Sequence, residues 1–129
     1  VTDALQHEQP PPPPADSGRG LRASWRFTVP TYETLPRFAA DLDRLTPEQR
    51  RKFRKTVAAF VEDLRTGRPF RSGLRIKGVR RAPGVYELTW SMGAGPAGRA
   101  TWQYGPSKIG DTPHVIWRRI GTHDILTGP

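Results

Sequence analysis

The sequence predicts an α+β fold: an N-terminal strand, a helical hairpin, then an antiparallel sheet of three or four strands with both helices on one face. Three observations carry this. Trp25, Phe27 and Val29 alternate with polar residues. Two stretches with apolar residues at helical spacing follow, over Leu35 to Leu45 and Phe53 to Leu64. Beyond Leu74 the chain turns to short alternating runs broken by Gly- and Pro-rich loops. Period two marks a half-buried strand and period 3.6 an amphipathic helix.

Residues 1–22 hold the run Pro10 to Pro14 and then Asp16-Ser17-Gly18-Arg19-Gly20. Sparse in apolar side chains, this segment is expected to be a disordered proline-rich tail with polyproline II character. The domain is expected over 23–129, opening with a strand from Ser24 to Val29 that Pro30 ends. Thr34 is the expected cap of a short helix with Pro36 in its first turn. Leu35, Phe38, Ala39, Leu42 and Leu45 mark its apolar face.

Thr46-Pro47-Glu48-Gln49 starts the second helix. Thr46 caps, Pro47 stands first, Glu48 meets the positive end of the dipole, and Gln49 closes a capping box. Phe53, Val57, Phe60, Val61 and Leu64 form one stripe, while Arg50, Arg51, Lys52, Arg54 and Lys55 crowd the other faces. Gly67 and Pro69 stop it. Leu74 and Ile76, alternating with Arg75 and Lys77, predict a short strand. Val85 to Trp90, Ala100 to Tyr104 and His114 to Ile120 predict three more, joined by loops suited to an antiparallel meander.

At 129 residues the chain is long enough for one domain. Its 21 Lys+Arg against 12 Asp+Glu give a formal charge of +9, a balance that favours polyanionic partners. The absence of cysteine excludes disulfides, thiolate catalysis and Cys-based zinc sites. Three histidines at positions 7, 114 and 123 have no ligand spacing, so no metal and no cofactor are expected. No apolar run approaches the ~20 residues of a membrane span. With no basic flank and apolar segment at the start either, a cytoplasmic location is expected.

The chemistry concentrates in two places. From Leu64 to Tyr86 there are seven Lys/Arg and no acid. With Leu74 and Ile76 inward, Arg75 and Lys77 face outward, and Arg80 and Arg81 follow in the turn before Pro83-Gly84. Cations for phosphates, interleaved with aromatics for bases, suit single-stranded RNA. The second place is Trp117-Arg118-Arg119-Ile120-Gly121-Thr122-His123-Asp124. Arg118 and Arg119 point to opposite faces, so one of them serves the open face. Strict alternation selects Arg119, on the side of Val115 and Trp117, with Ile116 and Ile120 inward. His123 lies just past the strand. Glu87, the one acid embedded in a strand of this sheet, is either a general base or a member of a cross-strand ion pair. His114, at the mouth of the last strand, reads as structural or exposed.

The order of elements, with Leu74-Arg75-Ile76-Lys77-Gly78-Val79-Arg80, Gly84 to Trp90 and Val115 to Asp124, resembles the RelE/ParE toxin superfamily of bacterial toxin–antitoxin modules. The resemblance spans about residues 23 to 126. It implies a metal-independent endoribonuclease that cuts mRNA on the ribosome, and a cognate acidic antitoxin in a toxin–antitoxin hetero-oligomer. His123 matches the family's C-terminal histidine and would be the general acid. Arg119 or Arg118 would stabilise the transition state, Glu87 is the candidate base, and Arg75, Lys77, Arg80 and Arg81 would hold the RNA backbone. One departure is plain: where several active relatives carry a tyrosine, this chain has Asp124-Ile125-Leu126. Two other functions compete, a ParE-like gyrase inhibitor for which His123 is dispensable, and a non-catalytic RNA- or protein-binding module.

Overall fold

The structure is a computed structural model and describes residues 29–129. The expected tail over 1–22 and most of the expected strand from Ser24 to Val29 lie outside the described residues. Of that strand only Val29 is described, and it is 65% exposed. The described fold is α+β, with strands β1 (Thr31–Thr34), β2 (Lys77–Gly78), β3 (Tyr86–Trp90), β4 (Gly98–Gly105) and β5 (His114–Gly121), and helices α1 (Pro36–Asp43) and α2 (Pro47–Thr66). Short 3₁₀ turns occupy Ser72–Leu74 and His123–Thr127.

The sheet has five strands in the order β1-β5-β4-β3-β2 and is mixed, which corrects the expected antiparallel sheet of three or four. β1 runs parallel to β5, with Thr31 opposite His114 and Thr34 opposite Trp117. The remaining pairs are antiparallel. Strands joined by short loops fold back on themselves, whereas β1 is separated from β5 by both helices and three strands and is free to pair parallel. Pro30 precedes the first described strand rather than ending it. Thr31, Tyr32 and Thr34, β-branched or aromatic, suit a strand, and the Thr31 N–H donates to Pro113 O at 3.0 Å.

Thr34 stays in that strand, so Leu35 takes the N-cap position of α1. Its N–H still donates to Trp117 O at 3.0 Å, tying the helix start to β5. Phe38 and Leu45 are buried as expected, but Ala39 is exposed and Asp41 is buried. The inward stripe of α1 is therefore rotated toward the edge that β5 leaves free once β1 ends. For α2 the expected signals are all present. Thr46 Oγ1 accepts from Gln49 N at 3.0 Å, Gln49 Oε1 accepts from Thr46 N at 2.9 Å, and Gly67 ends the helix at φ 73°.

Leu74 and Ile76 are buried, and Arg75 and Lys77 exposed, but the backbone is not the expected strand. Ser72–Leu74 is a 3₁₀ turn, Arg75 takes φ 50°, and pairing starts only at Lys77. A period-two pattern arises here without an extended backbone, because the turn throws Leu74 and Ile76 to the same side.

Aromatic rings join helices to sheet. Trp117 lies 5.8 Å from Phe38, 5.7 Å from Phe53 and 5.3 Å from Phe60, centroid to centroid. Trp102 meets Phe60 edge-on at 5.0 Å and Phe70 at 6.1 Å. Trp102 stands opposite Trp117 in the β4–β5 register, so both helices cover one face. Trp90, 5.3 Å from Phe53, extends the layer. Gly98 stands opposite Trp90, and a Cβ there would lie 2.6 Å from the indole and 2.9 Å from Met92 Cγ. Gly98→Ala is therefore expected to cost about 1–3 kcal/mol through overpacking. Gly73→Ala, whose added methyl would meet nothing within 4 Å, is the control and should be neutral or slightly stabilising. Urea midpoints of the two variants test the contrast; equal midpoints would refute it.

Candidate functional site

The face of the sheet away from the helices is built from the alternate positions of β3, β4 and β5. Tyr86, Leu88 and Trp90 share the helix side with Trp102 and Ala100, so Glu87 and Thr89, and Arg99, Thr101 and Gln103, fall on the other. One cross-strand row runs Lys77, Glu87, Thr101, Arg119, and the next runs Thr89, Arg99, Gly121.

Glu87 is 5% exposed, and its Oε1 lies 3.3 Å from Arg99 Nε on the diagonal. Lys77 stands opposite it on the other side and is exposed. Thr101 is fully buried between Glu87 and Arg119, and its hydroxyl has no hydrogen-bond partner among the described residues. A carboxylate in so desolvated a place is held by its cationic neighbours. Arg99 was missed from sequence because the strand was expected to begin at Ala100. The signal was present: Arg99 stands two positions from Thr101 on a strand opposite Glu87.

The arginine pair is arranged by a β-bulge. Thr101 pairs with Arg119 and Trp102 with Trp117, which leaves Arg118 as the extra residue. Val115, Trp117 and Ile120 therefore share the core side and Ile116 the opposite one. This corrects the strict alternation that grouped Ile116 with Ile120. Arg118 reaches across the open face, its Nη1 donating to Gln103 Oε1 and its Nε to Pro129 O at 2.9 Å.

Arg119 is committed elsewhere. Its Nε and Nη2 donate to Asp41 Oδ2 and Oδ1 at 2.6 and 3.1 Å, and its Nη1 donates to Gly128 O at 3.1 Å. Asp41 also accepts the Ile120 N–H at 3.1 Å. Burial pushes the Asp41 carboxyl up. The Arg119 hydrogen bonds, the Ile120 N–H and the charges of Arg119 and Arg44 more than offset this and hold it below the usual carboxylate range. The Arg119 guanidinium is raised, first by its hydrogen bonds to Asp41.

His123 opens the 3₁₀ turn His123–Thr127, two residues after Gly121, which stands opposite Arg99. The end of the sheet that holds Glu87 and Arg99 is thus the end from which His123 emerges. His123 and Asp124 are both exposed, and neither side chain hydrogen-bonds to the other. Arg75, Lys77, Arg80 and Arg81 are exposed around β2 and the turn that follows, and none makes an ion pair among the described residues. His114 is buried, with Nδ1 2.7 Å from Thr31 Oγ1 and Nε2 3.8 Å from Glu33. Its place is at the β1–β5 seam, apart from the row that holds Glu87.

Among the described residues no group of three or more His, Asp or Glu is placed to hold a metal ion, and no helix is long and apolar enough to cross a membrane. Comparison of the chain with family models, curated proteins and solved structures gives no match in any of the three.

The Asp41 arrangement has a pH signature. Because its carboxyl is lowered in the folded chain, its stabilisation is fully present above the unfolded-state value and is lost as pH falls through the folded one. Asp41→Asn should therefore lower stability near neutral pH and flatten its decline below about pH 4. Urea midpoints of both chains from pH 7 to pH 2 test this; parallel curves would refute it.

Proposed function

We propose that this chain is the toxin of a toxin–antitoxin module, a metal-independent endoribonuclease that cuts mRNA on the ribosome in the cytoplasm. The observation that carries the reading is the pairing of a nearly buried Glu87 with Arg99, at the sheet end from which the exposed His123 emerges. The cations Arg75, Lys77, Arg80 and Arg81, which make no ion pair among the described residues, supply backbone contacts. The order strand, helix, helix, four strands is the order on which the resemblance to the RelE/ParE superfamily rests.

In this reading RNA binding draws Arg99 from Glu87 onto the scissile phosphate. Glu87, freed of its cation, takes the proton of the 2′-hydroxyl, and that oxygen attacks phosphorus. His123 gives its proton to the departing 5′-oxygen. The products are a 2′,3′-cyclic phosphate and a 5′-hydroxyl end. Arg99 and Arg118 stabilise the charge that builds on the phosphoryl oxygens. Arg119, already spent on Asp41, acts through structure. An acidic antitoxin segment would neutralise the exposed cations around β2.

A second reading follows from the same pair. A carboxylate 5% exposed and matched by an arginine is also what a plain cross-strand ion pair presents, and that favours a non-catalytic RNA-binding module.

Induction of the chain in a bacterial host separates the two, with primer extension on a reporter mRNA. The nuclease reading expects growth arrest and in-frame cuts. His123→Ala and Glu87→Gln should each reduce cleavage about 10²- to 10⁴-fold. Arrest without cuts, unaffected by His123→Ala, would move the weight to gyrase inhibition. No arrest from a folded chain would leave the binding module.

A further inference from the structure

We infer that Asp41, on α1, is a positioning residue for the candidate cleavage centre, holding the turn that carries His123 through Arg119. The inference rests on the nuclease reading for its consequence, but the clamp itself is geometric. Asp41 is 5% exposed and accepts four hydrogen bonds, from Arg119 Nε and Nη2, from Ile120 N and from Arg44 Nη1 at 3.3 Å. The charge-assisted, bidentate part of this set fixes the guanidinium in one plane. That leaves Arg119 Nη1 aimed at Gly128 O.

The turn itself has few bonds of its own. Ile125 N donates to Thr122 O at 3.1 Å, Gly128 N to Ile125 O at 3.0 Å, and Thr127 Oγ1 to Asp124 O at 3.0 Å. A 3₁₀ turn of five residues is a poor stabiliser of its own geometry. Three further contacts hold it and the residues after it against the sheet. Ile125 packs where a Cβ on Gly121 would lie 3.0 Å from its methyl, and Gly128 sits with Arg37 and Arg119 close by. Arg118 adds a bond to Pro129 O. The bulge is what allows this, because it lets successive arginines of β5 reach the same segment by different routes. His123 thus inherits its place from α1 by way of Arg119.

A second buried aspartate provides the control. Asp63 accepts Arg71 Nε and Nη2 at 2.9 Å each and Arg71 N at 3.0 Å, yet it ties the end of α2 to the Ser72–Leu74 turn and touches nothing near His123. Loss of either aspartate breaks a similar ion pair. A purely structural role predicts like behaviour from Asp41→Asn and Asp63→Asn.

The test compares the two variants in the full chain. Amide hydrogen exchange is read at Ile125 and Gly128, the His123 imidazole proton signal (assigned with His123→Ala) is followed by NMR, and single-turnover cleavage is measured on ribosome-bound mRNA. Asp41→Asn is expected to speed exchange at Ile125 and Gly128 at least tenfold, to shift or broaden the His123 signal, and to lower the limiting single-turnover rate about 10- to 100-fold with the half-saturating concentration nearly unchanged. Asp63→Asn should leave all three where they were. Equal effects of the two variants on exchange and on His123, or none from Asp41→Asn, would overturn the proposal. A parent chain that cleaves nothing would sink the nuclease reading instead, while the exchange and imidazole comparison would still decide the clamp.

Discussion

Trp117 is the joint on which the rest of the molecule depends. Its ring touches Phe38 of α1 and both Phe53 and Phe60 of α2, so a single side chain of β5 fixes the two helices relative to the sheet. Its backbone does as much. The carbonyl accepts Leu35 N at the start of α1, while the residue stands between Thr34 of β1 and Trp102 of β4 in the sheet. Aromatic pairs in tilted and edge-on contact add specific geometry to the burial of large apolar area. Displacing this ring would loosen both helices at once, leaving α2 on Trp90 and Trp102 and α1 on the Asp41 contacts.

What lies just beyond Trp117 follows from that constraint. β1 ends opposite it, so the N–H groups of β5 past this point have no strand on that side. An unpaired backbone donor in a buried place is costly, and Asp41 removes the cost by accepting Ile120 N. Its carboxylate, brought into a dry site, needs a cation in turn. Arg119 supplies it. The bulge at Arg118 lets this happen while Ile120 returns to the core side. An arginine whose sequence context suggests catalysis is thereby taken up by the fold, and Arg99, one strand over, becomes the cation nearest the candidate base.

The open face shows the same economy of charge. Glu87 is nearly buried, with Arg99 at 3.3 Å and Lys77 opposite it in the register. In the proposed chemistry, an incoming phosphate would compete for Arg99 and so unmask the carboxylate.

The sequence by itself determined the local structure wherever the deciding groups are neighbours in the chain. The capping box at Thr46 and Gln49, the stop at Gly67, the inward Leu74 and Ile76 and the strands over Tyr86 to Trp90 and His114 to Gly121 were legible for that reason. Glu87 and His123 stood out as candidate groups, and the run of cations from Arg65 to Arg81 marked a basic surface. Tertiary structure alone decided the parallel pairing of β1 with β5, the burial of Asp41 in place of Ala39 and the Arg118 bulge. The first two depend on partners more than 70 residues away, Thr31 with His114 and Asp41 with Arg119, and the bulge on how β4 and β5 fall into register. Neither period nor propensity carries information at that range. The division of labour among Arg99, Arg118 and Arg119 belongs to the same class, because a guanidinium serves whichever carboxylate the fold brings to it.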